Sequence, residues 1–175
     1  TDLINCHSHL TYEMLRGDYP DKTNFVPHSL PEELFYTLPA AEVAEHKEKF
    51  LGKENKDAFV LLWVNRNARR KRPADVIWAW SIFMQNYEKQ GKPGKKPLLL
   101  MHTDPFDQEG PNLVEVAMHY GVINSVVFSK QRVEFDKMNV IHNISDACIN
   151  ISYAEGFGLA TLEAMNCGKP IIATK

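Results

Sequence analysis

Five apolar runs of strand length, separated by stretches with helical spacing, constrain this chain more than any other feature. From Ala58 they read AFVLLWV (58–64), PLLLMHT (97–103), SVVFS (125–129), DACINIS (146–152) and KPIIATK (169–175). A run without polar alternation is what a strand covered on both faces looks like. Between the runs lie four helical stretches. In PADVIWAWSIFMQNYEKQ, Pro73 suits a first helical position, and Ile77, Trp80, Ser81 and Met84 fall on one face. GPNLVEVAMHYG stops at Gly121, EFDKMNVIHNI follows, and GLATLEAMNCG stops at Gly168. Strands alternating with helices imply βαβ units and an α/β fold with a doubly wound, parallel, Rossmann-like sheet. Ligands of such sheets bind at the carboxyl ends of the strands.

The leading residues follow a different pattern. Residues 1–30 read as a strand (DLINCH), a short helix and a second strand (NFVPHS), too little to close a core. Residues 31–57 are polar and helix-prone, a connector rather than a domain. Residues 1–58 carry six Lys and Arg against eleven Asp and Glu, whereas residues 59–175 carry fourteen against eleven. The overall net charge of −2 predicts neither a nucleic-acid partner nor an anionic membrane. Three scattered cysteines (Cys6, Cys148, Cys167) suit neither a disulfide framework nor a zinc site. They fit a reducing compartment, the cytoplasm or its face of a membrane. The start at Thr1 and the stop after an apolar run suggest a piece of a longer protein.

Two inter-element loops carry chemistry. After the first buried run comes NRNARRKR (65–72), with five cationic residues of eight directly before a helix. Guanidinium forks, an ammonium and helix N–H groups together suit a phosphorylated ligand. After the fourth comes SYAEGFGLATLEAM (152–165). Gly156 and Gly158 let backbone approach a ligand closely. The N–H groups near Gly158 and Leu159 can receive a diphosphate. Glu155 and Glu163 are wrong for holding phosphate but right for accepting from hydroxyls on either side of it. A diphosphate with hydroxyls on both sides is a nucleotide sugar.

EGFGLATLEAMNCGKPIIAT resembles the donor-site signature of retaining GT-B glycosyltransferases, glycosyltransferase family 4 in particular: two glutamates bracketing a glycine turn, then AMxCGxP. Arg66 and Lys71 keep that family's five-residue Arg-to-Lys spacing, with Asn65 where a glycine is usual. HTDPFDQEGPNL, HNISDACINISYAEGFG and VPHSLPEELF are similar to further stretches, so the resemblance covers about residues 24–175. It implies that 1–30 is the tail of an N-terminal acceptor domain. Residues 31–57 would be the interdomain connector, and 58–175 a donor-binding domain truncated at its C-terminus. It implies that Arg66 and Lys71 grip the diphosphate and that Glu155 accepts from sugar hydroxyls. The backbone of Gly156, Phe157, Gly158 and Leu159 would meet sugar and phosphate, and Glu163 the ribose. Lys130 to Val133 would face the nucleobase. Of these, Glu155, Arg66 and Lys71 are the expected catalytic groups.

The implied activity is hexose transfer from a UDP- or GDP-hexose with retention, without cofactor or metal. The N-terminal acceptor domain of the same protein would be the partner, and the 175 residues alone would be inactive. Alternatives are a nucleotide-sugar epimerase or phosphorylase of the same fold, or a non-catalytic module binding nucleotide or nucleic acid. His7 and His9 lack a third metal ligand nearby. Asp104 and Asp107 read as loop caps. The helix bearing Trp78, Trp80, Phe83 and Tyr87 reads as core plus a face toward a neighbouring domain, with membrane contact not indicated.

Overall fold

The computed structural model describes residues 2–174. The leading part forms β1 (Ile4–Cys6), α1 (His9–Arg16) and β2 (Thr23–Phe25), with the two strands paired in parallel. This unit buries little. No residue of α1 is buried, and Leu10 and Met14 are exposed.

Next comes α2 (Ala40–Leu51), followed by a five-stranded sheet and its helices: β3 (Phe59–Val64), α3 (Pro73–Lys89), β4 (Pro97–His102), α4 (Leu113–His119), β5 (Val126–Ser129), α5 (Phe135–Asn143), β6 (Ala147–Asn150), α6 (Leu159–Asn166) and β7 (Ile171–Ala173). The order is β5-β4-β3-β6-β7, parallel throughout. All five expected strands form, and the doubly wound α/β sheet is the one anticipated.

The unalternating apolar runs are explained by two cores. In β4, Leu98 and Leu100 face one side of the sheet, with Val60, Leu62, Ile141 and Ala164. Leu99 and Met101 face the other, with Trp63, Ile77, Trp80, Leu113 and Ala117. Strand alternation persists, but both faces are dry, so both sets are apolar. The α3 face expected from spacing is the one that packs: Ile77, Trp80 and Ser81 are buried, and Trp80 Nε1 donates to Ser125 Oγ at 2.9 Å. Trp78 and Phe83 of the same helix stand exposed. In the expected connector, α2 sends Leu51 into the first core, and Lys47 Nζ lies 3.0 Å from Asp146. No helix among the described residues is long and apolar enough to cross a membrane.

The cysteines behave as small buried hydrophobes. Burial pushes the thiols of Cys148 and Cys167 up to about 11. At pH 8 neither carries appreciable thiolate, the nucleophilic form. Iodoacetamide is therefore expected to leave both unlabelled in the folded chain and to label them in 6–8 M urea. Labelling of either at its unfolded rate under native conditions, read by peptide mass spectrometry, would contradict this burial.

Candidate functional site

Helices α3 and α4 cover one face of the sheet, and α5 and α6 the other. The chain thus leaves β3 and β6, which are neighbours, in opposite directions. Their carboxyl ends open a cleft of about 1090 Å³ at this switch point. Arg66 and Lys71 line it from the loop after β3. Glu155, Gly156, Phe157, Gly158, Leu159 and Glu163 line it from the segment after β6. The eight residues singled out in the sequence therefore share one cavity. Lys130, Gln131 and Arg132, after β5, line it too, whereas Val133 packs against the first core.

The basic loop is not irregular throughout. Arg69–Lys71 form a 3₁₀ turn, and Arg72 takes a left-handed conformation (φ 54°) before Pro73 starts α3. This turn buries Lys71, and its ammonium donates to Glu155 Oε1. Two further bonds tie the loops together: Tyr153 N–H donates to Arg70 O (2.8 Å), and Arg70 Nη1 donates to Ala154 O (3.1 Å). Asn150 Nδ2 adds a donor to Glu155 Oε1 at 3.3 Å, while its Oδ1 accepts from Ser152 Oγ at 2.7 Å.

Burial alone would raise the Glu155 carboxyl, but hydrogen bonds led by Lys71 outweigh it and hold the group below its ordinary 4.5. A depressed carboxylate contributes stability above its unfolded pKa and loses it as pH falls through the folded value. The urea midpoint is accordingly expected to decline below about pH 4.5. Glu155→Gln should shrink that decline. An acid limb identical in the two proteins would remove Glu155 as its source.

Arg66 stands at the cleft mouth. Its Nε donates to Asp107 Oδ2 at 2.7 Å, and its Nη1 lies 2.9 Å from Glu109 Oε1. The Arg66 hydrogen bond in turn holds the Asp107 carboxyl below its usual range. Asp104 and Asp107 do cap their loop, accepting from Phe106 N–H and Glu109 N–H at 3.0 Å each. Asp107 also fixes Arg66, a role that only tertiary adjacency reveals. Much of the loop's positive charge is thus matched internally. Yet an ammonium has three donors and a guanidinium five, so both groups keep N–H bonds for an anion.

On the opposite wall, α6 is capped at its start by Gly158, whose φ of 91° favours glycine. Leu159 and Ala160, its first two residues, line the cleft with N–H groups that no helical carbonyl can reach. Glu163 faces the same space from the next turn, and its Oε2 lies 3.0 Å from His142 Nε2. His102 lines the cleft, with its Nδ1 2.9 Å from Ser129 Oγ. Burial lowers its pKa. His7 and His28, stacked at 4.2 Å, close one side, and His28 meets the Phe157 ring edge-on. Asn150, Asp107 and His142 were not singled out as functional. Asn150 and His142 each lie within an apolar stretch, where spacing reads as packing alone.

Residues 44–175 match the family Glycosyl transferases group 1. Over 125 residues the chain is 30% identical to an alpha-1,3/1,6-mannosyltransferase of Dictyostelium discoideum, covering 67% of this chain and 30% of that protein. Over 165 residues it is 28% identical to a D-inositol 3-phosphate glycosyltransferase of Stackebrandtia nassauensis, covering 92% and 35%. The chain therefore spans about a third of these relatives. Among solved structures, Anabaena HepE in complex with UDP-glucose superposes with a TM-score of 0.77 at 20% identity, over 100% of this chain and 45% of that one. Sucrose-phosphate synthase of Thermosynechococcus elongatus gives 0.74 at 24%, over 99% and 40%. The family match takes in both loops of the cleft, and the likeness in fold takes in the whole sheet: the chain belongs to the glycosyl transferases group 1 family and has the fold of a part of the GT-B glycosyltransferases.

Proposed function

We propose that the chain is the donor-binding part of a hexosyltransferase that takes a UDP- or GDP-hexose and retains anomeric configuration. One observation carries this reading: Arg66, Lys71, the glycine turn opening α6, Glu155 and Glu163 line a single cleft. Relatives acting in sugar transfer, and a neighbour in fold solved with UDP-glucose, support it.

The chemistry follows from the charges. Cleaving the anomeric C–O bond leaves positive charge on the sugar and adds negative charge to the departing diphosphate. Fixed donors aimed at that diphosphate act most strongly once the charge has built up. By analogy with oxyanion holes, each is worth about 3 kcal/mol. Arg66, Lys71 and the α6 N–H groups are assigned this task, so no metal is invoked. Glu155 orients sugar hydroxyls and Glu163 the ribose. The acceptor and its activating groups are assigned to the acceptor domain of the complete protein, and the 175 residues alone are expected not to turn over.

Calorimetry with UDP, GDP and a DNA duplex tests the reading. One nucleoside diphosphate is expected to bind, and Arg66→Ala should weaken it about tenfold, the loss of one charge-assisted contact. If the duplex binds instead, with steep loss in salt, the cleft belongs to a nucleic-acid module.

A further inference from the structure

The buried histidine beside Glu163 has no part in the chemistry above. His142 lies on α5 and is 1% exposed. Its Nε2 is 3.0 Å from Glu163 Oε2, Phe35 packs against the ring with centroids 5.9 Å apart, and Nδ1 is buried without a partner. A buried bare lone pair is tolerated better than a buried unpaired N–H. The neutral tautomer with hydrogen on Nε2 is therefore the one that fits, and it donates to the carboxylate. Glu163, its side chain 14% exposed, then has one oxygen fixed from behind. Its other oxygen is left for the cleft.

We propose that His142 is a positioning residue for ribose recognition: by holding Glu163 Oε2 it fixes the carboxylate plane, so that Oε1 meets the ribose hydroxyls of the nucleotide. This rests on the proposed donor site and adds the group that makes Glu163 selective. A carboxylate on an unrestrained glutamate side chain must give up rotamer freedom on binding, whereas one already clamped gives up less. The gain applies only to ligands that carry the hydroxyls.

The test pairs protein variants with ligand variants. The chain, His142→Phe and His142→Gln are titrated with UDP and GDP, with their 2′,3′-dideoxy counterparts, and with inorganic diphosphate. Phenylalanine keeps the ring but loses the donor; glutamine restores an N–H. His142→Phe is expected to lose about five- to tenfold in affinity for the ribonucleotide and nothing for the dideoxy compound or diphosphate. His142→Gln should recover most of the loss. Equal losses on ribose and dideoxy ligands would mean that His142 acts through packing alone, and an unchanged ribose preference would likewise overturn the proposal.

Imidazole nitrogen-15 shifts of the unsubstituted chain serve if His142→Phe does not fold. They should show hydrogen on Nε2 and a bare Nδ1, with Nε2 moving on addition of ribonucleotide and not of dideoxynucleotide. Hydrogen on Nδ1 alone would overturn the proposal, because Nε2 could not then donate. Failure of the unsubstituted chain to bind any nucleoside diphosphate would instead defeat the donor-site reading beneath it.

Discussion

Lys71→Ala is expected to weaken nucleoside diphosphate binding about 100-fold, roughly 2.8 kcal/mol at 1.4 kcal/mol per tenfold. The size follows from position. Lys71 is buried, with Glu155 against its ammonium on the cleft wall. A charge-assisted hydrogen bond is worth about 1.5–3 kcal/mol. Truncation removes it and leaves the Glu155 carboxylate uncompensated beside an anionic ligand. Lys71→Arg should not rescue fully, since a planar fork cannot replace a compact ammonium in a buried niche. The variant should also unfold at lower urea. Removing one partner of a fully buried pair costs about 3–5 kcal/mol, and the Glu155 side chain, 25% exposed, recovers part of that through solvent. Calorimetry and urea titration read the two effects separately. Affinity within threefold of the unsubstituted chain would place the phosphates elsewhere.

Gly110→Ala is expected to damage the same site from behind. A Cβ on Gly110 would sit 2.0 Å from Asn67 Oδ1 and 2.7 Å from the Asn67 carbonyl oxygen. The side chain could move only by abandoning its bond from Nδ2 to Pro111 O, 2.9 Å long, and Asn67 is fully buried. The carbonyl cannot move without the chain, and the next residue back is Arg66. Overpacking of this kind costs about 1–3 kcal/mol. Because strain is relieved by shifting the loop that carries Arg66 and Lys71, nucleotide affinity should fall with stability. An alanine variant with unchanged urea midpoint and unchanged affinity would show that the loop after β4 yields freely.

The sheet was legible because strands dry on both faces leave unbroken apolar runs, and Pro73, Gly121 and Gly168 punctuate the helices between them. The cleft was legible because two of its walls come from the loops with the least ordinary composition. What was hidden depends on contacts between segments remote in sequence. Nothing local to NRNARRKR announces a 3₁₀ turn or the left-handed Arg72 that buries Lys71. Asp107 and Glu109 read as loop residues until the fold sets them against Arg66. His142 lies on the packed face of α5, and only the neighbouring helix supplies its Glu163. Val133, expected at the cleft, went to the core because an apolar side chain gains more there than at a polar mouth.

Lys71 and Glu155 are 84 positions apart, joined only because β6 pairs beside β3. A growing chain at the ribosome therefore completes one jaw of the cleft long before the other is made. If the cleft takes a nucleotide as proposed, that ligand cannot hold any nascent intermediate that stops short of α6. On that reading its stabilising effect arrives only once α6 docks, so the ligand protects the assembled cleft but cannot guide its early assembly.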